Sequence, residues 1–140
     1  MDGDSRLIVN IDVPDIELGI AFYQNGLEFE FRRRLFDGTI AEMSLQSVSV
    51  FLIEQSAGSE AVPSSELFRD YRNHWTPVHL DISVKNLGAS ISRALKAGAS
   101  LSRGPSEHAF GQLAPMRDPF GHGFCLIEFS SDGYDAVVAS

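Results

Sequence analysis

Cysteine is almost missing from this chain: Cys125 is the only one in 140 residues. An internal disulfide is thereby excluded, and the fold must rest on burial, as in proteins of a reducing cytoplasm. Basic residues are also scarce, 11 Lys and Arg against 19 Asp and Glu, giving a net charge of −8 and a pI near 4.8. A nucleic-acid groove or an anionic membrane surface needs clustered positive charge, so neither is expected as a partner. The one basic run, Arg32-Arg33-Arg34, alternates faces when extended and reads as a solvated edge. No apolar run approaches the ~20 residues of a membrane span. The opening Met-Asp-Gly-Asp-Ser lacks the basic and apolar parts of a signal peptide. A cytoplasmic location is the expectation.

What is present is an ordinary globular composition, 44% apolar and 21% charged, in a length that suits one domain with a sizeable core. It also carries an internal repeat. Arg6-Leu-Ile-Val-Asn-Ile-Asp-Val13 alternates apolar and polar residues, then meets Pro14-Asp15 and an amphipathic stretch. Pro77-Val-His-Leu-Asp-Ile-Ser-Val84 does the same before Lys85-Asn86, with Val84 lying 71 residues after Val13. Duplicated modules normally build their working site where the copies meet.

The period of the pattern predicts β-α-β-β-β for module one, residues 6–54. A strand over 6–13 leads to a helix capped by Asp15, with Ile16, Ile20, Tyr23 and Leu27 as its buried stripe. Asn25-Gly26 predicts a left-handed helix stop, and Asp37-Gly38 a hairpin between strands 29–35 and 39–45. A strand over 47–54 closes the module. Residues 55–76 read as a linker, with a short helix expected from Glu66 to Arg72. Trp75 at its end either covers part of the site or packs into the core. Module two, residues 77–129, predicts a strand over 77–84 and a helix capped by Asn86. Leu87, Ile91, Ala94 and Leu95 form its stripe, and Gly98 its stop. Strands near 100–103, 110–116 and 122–129 follow, the last two joined by Asp118-Pro119-Phe120-Gly121. The tail, 130–140, reads as peripheral.

Phe22-Tyr23 through Gly26-Leu27-Glu28-Phe29, Val78-His-Leu-Asp-Ile-Ser-Val84, Ala97-Gly98-Ala99 and Arg117-Asp-Pro-Phe-Gly-His-Gly-Phe-Cys-Leu126 together resemble the vicinal oxygen chelate superfamily. That group includes glyoxalases, bleomycin-resistance proteins and extradiol dioxygenases. The resemblance implies an α+β fold of two tandem βαβββ modules, whose curled sheets enclose a concave cleft with the helices outside. It also implies, in metal-using members, one divalent ion held by strand residues at four matched positions.

Here those four positions are Ile8, Phe51, His79 and Cys125. Two carry no donor atom, and a His/Cys pair is a poor cage where three or four ligands are usual. Glu54 and Glu128 lie three residues beyond the matched positions, an odd offset that turns a strand side chain to the other face. No cofactor is therefore expected, and a divalent metal at His79 is the alternative. Asn10 and Asp81, two residues further along the first strands, offer hydrogen bonds rather than an acid–base pair. A Cys125/His79 nucleophile has no second base in support. His122 reads as structural, and His108 stands in a loop over 104–112 that either closes on a ligand or is solvated.

The resemblance supports two readings. One is a binding module for a small organic ligand, contacting Ile8, Asn10, Phe51, Trp75, His79, Asp81 and Cys125, as in antibiotic-sequestering members. The other is a metal-dependent glyoxalase-type lyase or extradiol dioxygenase with an atypical ligand set around His79. A housekeeping or regulatory cleft is the plainest alternative. No catalytic residue is assigned, and a homodimer is expected.

Overall fold

The computed structural model describes residues 4–140; the first three, part of the stretch read above for a signal peptide, lie outside the described residues. The chain divides into two compact units, the first ending at Asp70 and the second running Tyr71–Ser140. Each is a mixed α+β unit in which one helix packs on one curled sheet, and neither sheet closes into a barrel.

The first unit holds β1 (Ile8–Val13), α1 (Ile16–Asn25), β2 (Glu30–Leu35), β3 (Ile40–Leu45) and β4 (Val48–Glu54). The strand order is β1-β4-β3-β2, with β1 parallel to β4 and the other pairs antiparallel. Alternation explains the burial. Val13, Val50, Leu52, Ala41 and Met43 face α1, where they meet Ile16, Phe22 and Tyr23, all 5% exposed or less. Each large side chain so buried contributes roughly 1.5–3 kcal/mol. Helix and sheet approach closely at Gly19, where a Cβ would stand 3.1 Å from a Val13 methyl. Ile20 is only half-buried, and Gly19 and Phe22 fill the stripe instead.

The triple arginine run is the solvated edge its alternation predicts. It lies on edge strand β2, interrupted by a bulge between Phe31 and Arg33. Arg32 pairs with Glu30, Arg33 with Glu42 and Arg34 with Glu17. Two expectations fail. Gly26 is right-handed (φ −84°, ψ −42°), and the left-handed residue is Glu28 (φ 61°). Burial of Leu27 and Phe29 on either side (8% and 3% exposed) holds the reversal there. The helix expected over Glu66 to Arg72 is absent. The segment folds back on itself, with Gly58 N donating to Arg69 O, Arg69 N to Ser59 O, and Glu60 bridging Phe68. Ser64 and Glu66, both at φ 60°, cannot propagate a right-handed helix.

The second unit holds β5 (Leu80–Ser83), α2 (Leu87–Lys96), β6 (Ser100–Leu101), β7 (Ser106–His108), β8 (Gly111–Arg117), β9 (Gly123–Phe129) and a terminal 3-10 turn, Gly133–Val137. Its order is β5-β9-β8-β6, with β7 paired to β8 and β5 parallel to β9. Gly98 stops α2 in the left-handed region (φ 119°), as its residue type predicts. Asp118 builds the turn before β9: its Oδ1 accepts from Phe120 N at 2.8 Å and His122 N at 2.9 Å. Leu95 leaves the predicted stripe at 43% exposure, and Ser90 takes its place. β5 is shorter than the 77–84 pattern, so His79 immediately precedes it. β7 occupies the loop that carried no readable motif.

The two units repeat one joint. Glu54, at the end of β4, accepts from Ile16 N at 2.9 Å; Glu128, near the end of β9, accepts from Leu87 N at 2.7 Å. These are the first amides of α1 and α2, which an isolated helix leaves unpaired. Asp15 and Asn86 cap the amides that follow, at Glu17 and Leu18 in one helix and Ala89 in the other. Both glutamates therefore serve the helix side of their sheets, as their odd offset requires.

Candidate functional site

Strand alternation leaves each sheet a second face, turned away from its helix. In the first unit that face carries Ile8, Asn10 and Asp12 from β1, and Phe51 from β4 directly opposite Asn10. Ile8 is 43% exposed. Asp12 is held by Arg69, whose Nε donates to its Oδ2 at 2.6 Å while Nη1 donates to Glu60 O at 2.5 Å. Sequence reasoning missed Arg69. It lies 57 residues from Asp12 in a segment without periodicity, and only the fold-back of 56–69 brings it to β1.

In the second unit the corresponding face is assembled by β5 and β9. Asp81 and Cys125 are register partners, matching Asn10 and Phe51 in the first unit. His79 lies two residues before Asp81 on the same side, its Nε2 3.3 Å from Asp81 Oδ1. Trp75 stacks on the His79 ring at 4.5 Å and 15° between planes. Its other support is Gly123: a Cβ there would overlap the indole and stand 2.9 Å from His74 O. Trp75 is half-buried and packs on His79 and Gly123 rather than in the core. Four of the seven expected contact residues, Trp75, His79, Asp81 and Cys125, meet on this one face.

Cys125 is 3% exposed. Its thiol is pushed up to about 11, first by burial, then by the Asp81 charge and a hydrogen bond to Asp81; the Arg103 charge pulls the other way. Burial and the Asp81 charge favour the protonated thiol, the opposite of the push a Cys/His nucleophile needs. Arg103 was not foreseen. Neither was Arg117, the register partner of Gly123, whose Nη1 is buried with no hydrogen-bond partner among the described residues.

The remaining histidines do not join this group. His122 bridges His74 and packs near Tyr71 and Phe120. His108 lies on β7, bonded to Ser106 Oγ at 2.7 Å and stacked on Phe110 at 5.0 Å.

The fold and the residue order define a class. A family model for the glyoxalase-like domain matches residues 8–127, and the chain belongs to that family. A glyoxalase/bleomycin resistance protein/dioxygenase family enzyme from Burkholderia phytofirmans PsJN has a similar structure, with a TM-score of 0.67 at 16% identity over 88% of this chain and 97% of its own. TnmS3, an antibiotic binding protein from Streptomyces sp. CB03234, gives 0.66 at 18% identity over 93% and 100%. At such identities the likeness is one of fold. The anthracycline biosynthesis protein DnrV of Streptomyces peucetius is 31% identical over 67 residues, 48% of this chain but only 23% of that longer protein.

The metal cage that the resemblance implies does not fit these residues. Ile8 and Phe51 offer only carbon at two of its four positions. The joint described above gives Glu54 and Glu128 to the helices.

Proposed function

We propose that this protein binds a small organic molecule, using the helix-free face of the second unit and dispensing with the four-position metal cage of its family. The observation that carries this reading is the Trp75–His79 stack beside exposed Asp81, with Cys125 buried behind them. A braced imidazole offers a flat surface and a hydrogen-bonding edge, and Asp81 offers a negative charge. The matching face of the first unit carries Ile8, Asn10 and Phe51. Relatives named for antibiotic binding and for anthracycline biosynthesis support an antibiotic-like ligand. A flat ring system bearing a basic group, as in an aminoglycosylated polyketide, suits both the stack and the acidic chain.

The test is a thermal-shift titration of the full chain with doxorubicin and with a bleomycin-type glycopeptide. At a ligand concentration 100 times its Kd, stability rises by about 2.7 kcal/mol. His79→Ala should weaken binding at least tenfold while leaving the ligand-free melting temperature within a degree or so. Absence of any shift, or undiminished binding by His79→Ala, defeats the reading. A cytoplasmic homodimer is the setting proposed for it, and sedimentation velocity tests the dimer. The described residues contain no helix long and apolar enough to cross a membrane.

One observation favours a second reading, a metal-dependent lyase or dioxygenase with an atypical ligand set. Donor atoms of His79, Asp81 and Cys125 all lie within 4.8 Å of one another. Metal-dependent turnover of a hemithioacetal or a catechol would establish it.

A further inference from the structure

The geometry points to Arg117 as the residue that selects an acidic oxygen, a carboxylate or phenolate, on the ligand held at the helix-free face of the second unit. The inference rests on the ligand-binding reading above, and it adds to the basic group assigned there an anionic group at the other end of the molecule. Arg117 Nη1 is buried with no hydrogen-bond partner, and no other buried side-chain nitrogen or oxygen among the described residues is left so. A guanidinium in a protein stays charged, and a buried charged donor without an acceptor is costly. Native structures keep few such groups. An acceptor that arrives with a ligand would satisfy this one.

Strand register fixes which way Arg117 points. It ends β8 opposite Gly123, the first residue of β9. Gly123 lies two residues before Cys125 and shares its face, and a Cβ there would run into the Trp75 indole. Arg117 leaves the sheet on that same side, while its neighbour Met116 is fully buried on the helix side. Extending the β5–β9 register one residue beyond Leu80 and Phe124 sets His79 level with Gly123. His79, Gly123 and Arg117 thus form one row across the sheet, with Trp75 over its centre. Adjacent strands are about 4.8 Å apart, so the ends of the row are about 10 Å apart at the backbone. One end carries the His79–Asp81 pair, 3.3 Å between Nε2 and Oδ1, and the other carries the unmatched guanidinium. A flat ligand lying along the row meets an acid at one end and a cation at the other. The guanidinium fork fits two oxygens side by side, as in a carboxylate or a hydroxyquinone. Arg103, whose charge reaches the Cys125 thiol, adds positive potential nearby. Arg117 itself is none of the four strand positions matched to the family's metal.

The test is isothermal titration calorimetry of the full chain with anthraquinone-2-carboxylate, with its neutral carboxamide and with doxorubicin. The carboxylate should bind about tenfold tighter than the amide, as a charge-assisted bidentate contact requires. Arg117→Gln should erase that preference while leaving affinity for the amide within about twofold; Arg117→Lys, which keeps the charge and loses the fork, should retain part of it. Arg117→Met should leave the ligand-free melting temperature unchanged or higher, because it removes an unsatisfied charge from the free protein. An arginine with a structural partner would instead cost stability when replaced. No preference for the carboxylate in the wild type, a preference that survives Arg117→Gln, or a large loss of ligand-free stability in Arg117→Met overturns the inference. Doxorubicin binding without a preference for the carboxylate would overturn it and leave the ligand-binding reading intact, whereas failure of all three probes would defeat both.

Discussion

Replacing Glu128 by alanine should destabilise the second unit by about 2–3 kcal/mol, and replacing it by glutamine by about 1 kcal/mol or less. The Leu87 amide that Glu128 accepts from belongs to a residue 2% exposed and the bond is part-buried, so water replaces the lost carboxylate only in part. A hydrogen bond to a charged acceptor contributes roughly 1.5–3 kcal/mol, and a negative charge at a helix N-terminus roughly 0.3–1 kcal/mol. Alanine forfeits both. Glutamine keeps an acceptor on the same stem and forfeits only the charge. Glu54→Ala and Glu54→Gln should follow the same order in the first unit, with smaller losses because Glu54 itself is exposed. Equilibrium urea unfolding reads the effect, by circular dichroism for both units and by Trp75 fluorescence for the second, Trp75 being the only tryptophan. Alanine variants within about 0.5 kcal/mol of wild type would refute the reasoning, as would glutamine variants that lose as much as alanine.

Two further outcomes follow from the same face. Gly123→Ala should displace Trp75, red-shifting its emission and costing about 1–3 kcal/mol, because the added methyl overlaps the indole; unchanged emission and stability would contradict that packing. The Cys125 thiol should titrate near 11 in the folded protein, against 9.0 for an unperturbed thiol, as read by thiolate absorbance. The raised value means the folded state holds the proton more tightly. Its contribution to stability, up to roughly 3 kcal/mol, is therefore full below pH 9.0 and lost as pH climbs to about 11. Unfolding measured on either side of that window, with Cys125→Ser as the pH-insensitive reference for this group, checks it. A folded-state titration at or below 9.0 would contradict it.

Side-chain parity was the most legible property of this chain. The alternation in 6–13 and 77–84 places Val13 and Ile82 against their helices and leaves Asn10 and Asp81 on the opposite faces. Matching Leu52 to Leu126 placed Phe51 and Cys125 as equivalents, and the strand registers agree. Parity also removed Glu54 and Glu128 from the far face, although it said nothing of the amides they bind. Those partners come from a helix start 38 or 41 residues away, a separation at which local pattern carries no signal. The misses have the same origin. Glu28 takes a left-handed conformation that its residue type disfavours because Leu27 and Phe29 are both pulled into the core. The segment around Glu66 has helical composition, yet it closes on Ser59 and Glu60 through backbone bonds and on Asp12 through Arg69. β7 is held by pairing with β8 and by His108 lying on Phe110, neither of which shows in three residues of sequence. Within the site, His79 and Cys125 were visible as ligand-type residues. Their nearness to one another was expected from strand parity and module matching, and the register of β5 on β9 pairs Asp81 with Cys125.

The two helix starts, Ile16 and Leu87, are 71 residues apart, whereas the two glutamates that clasp them are 74 apart. The second copy thus threads three more residues along the same path while both ends stay bolted. Chain length between those anchors is consequently a free variable, provided Glu128 keeps its phase on β9. The exposed stretch around Gly104, where even a Cβ would meet nothing within 4 Å, is accordingly the place where a guest peptide could be spliced in to redesign what this scaffold recognises.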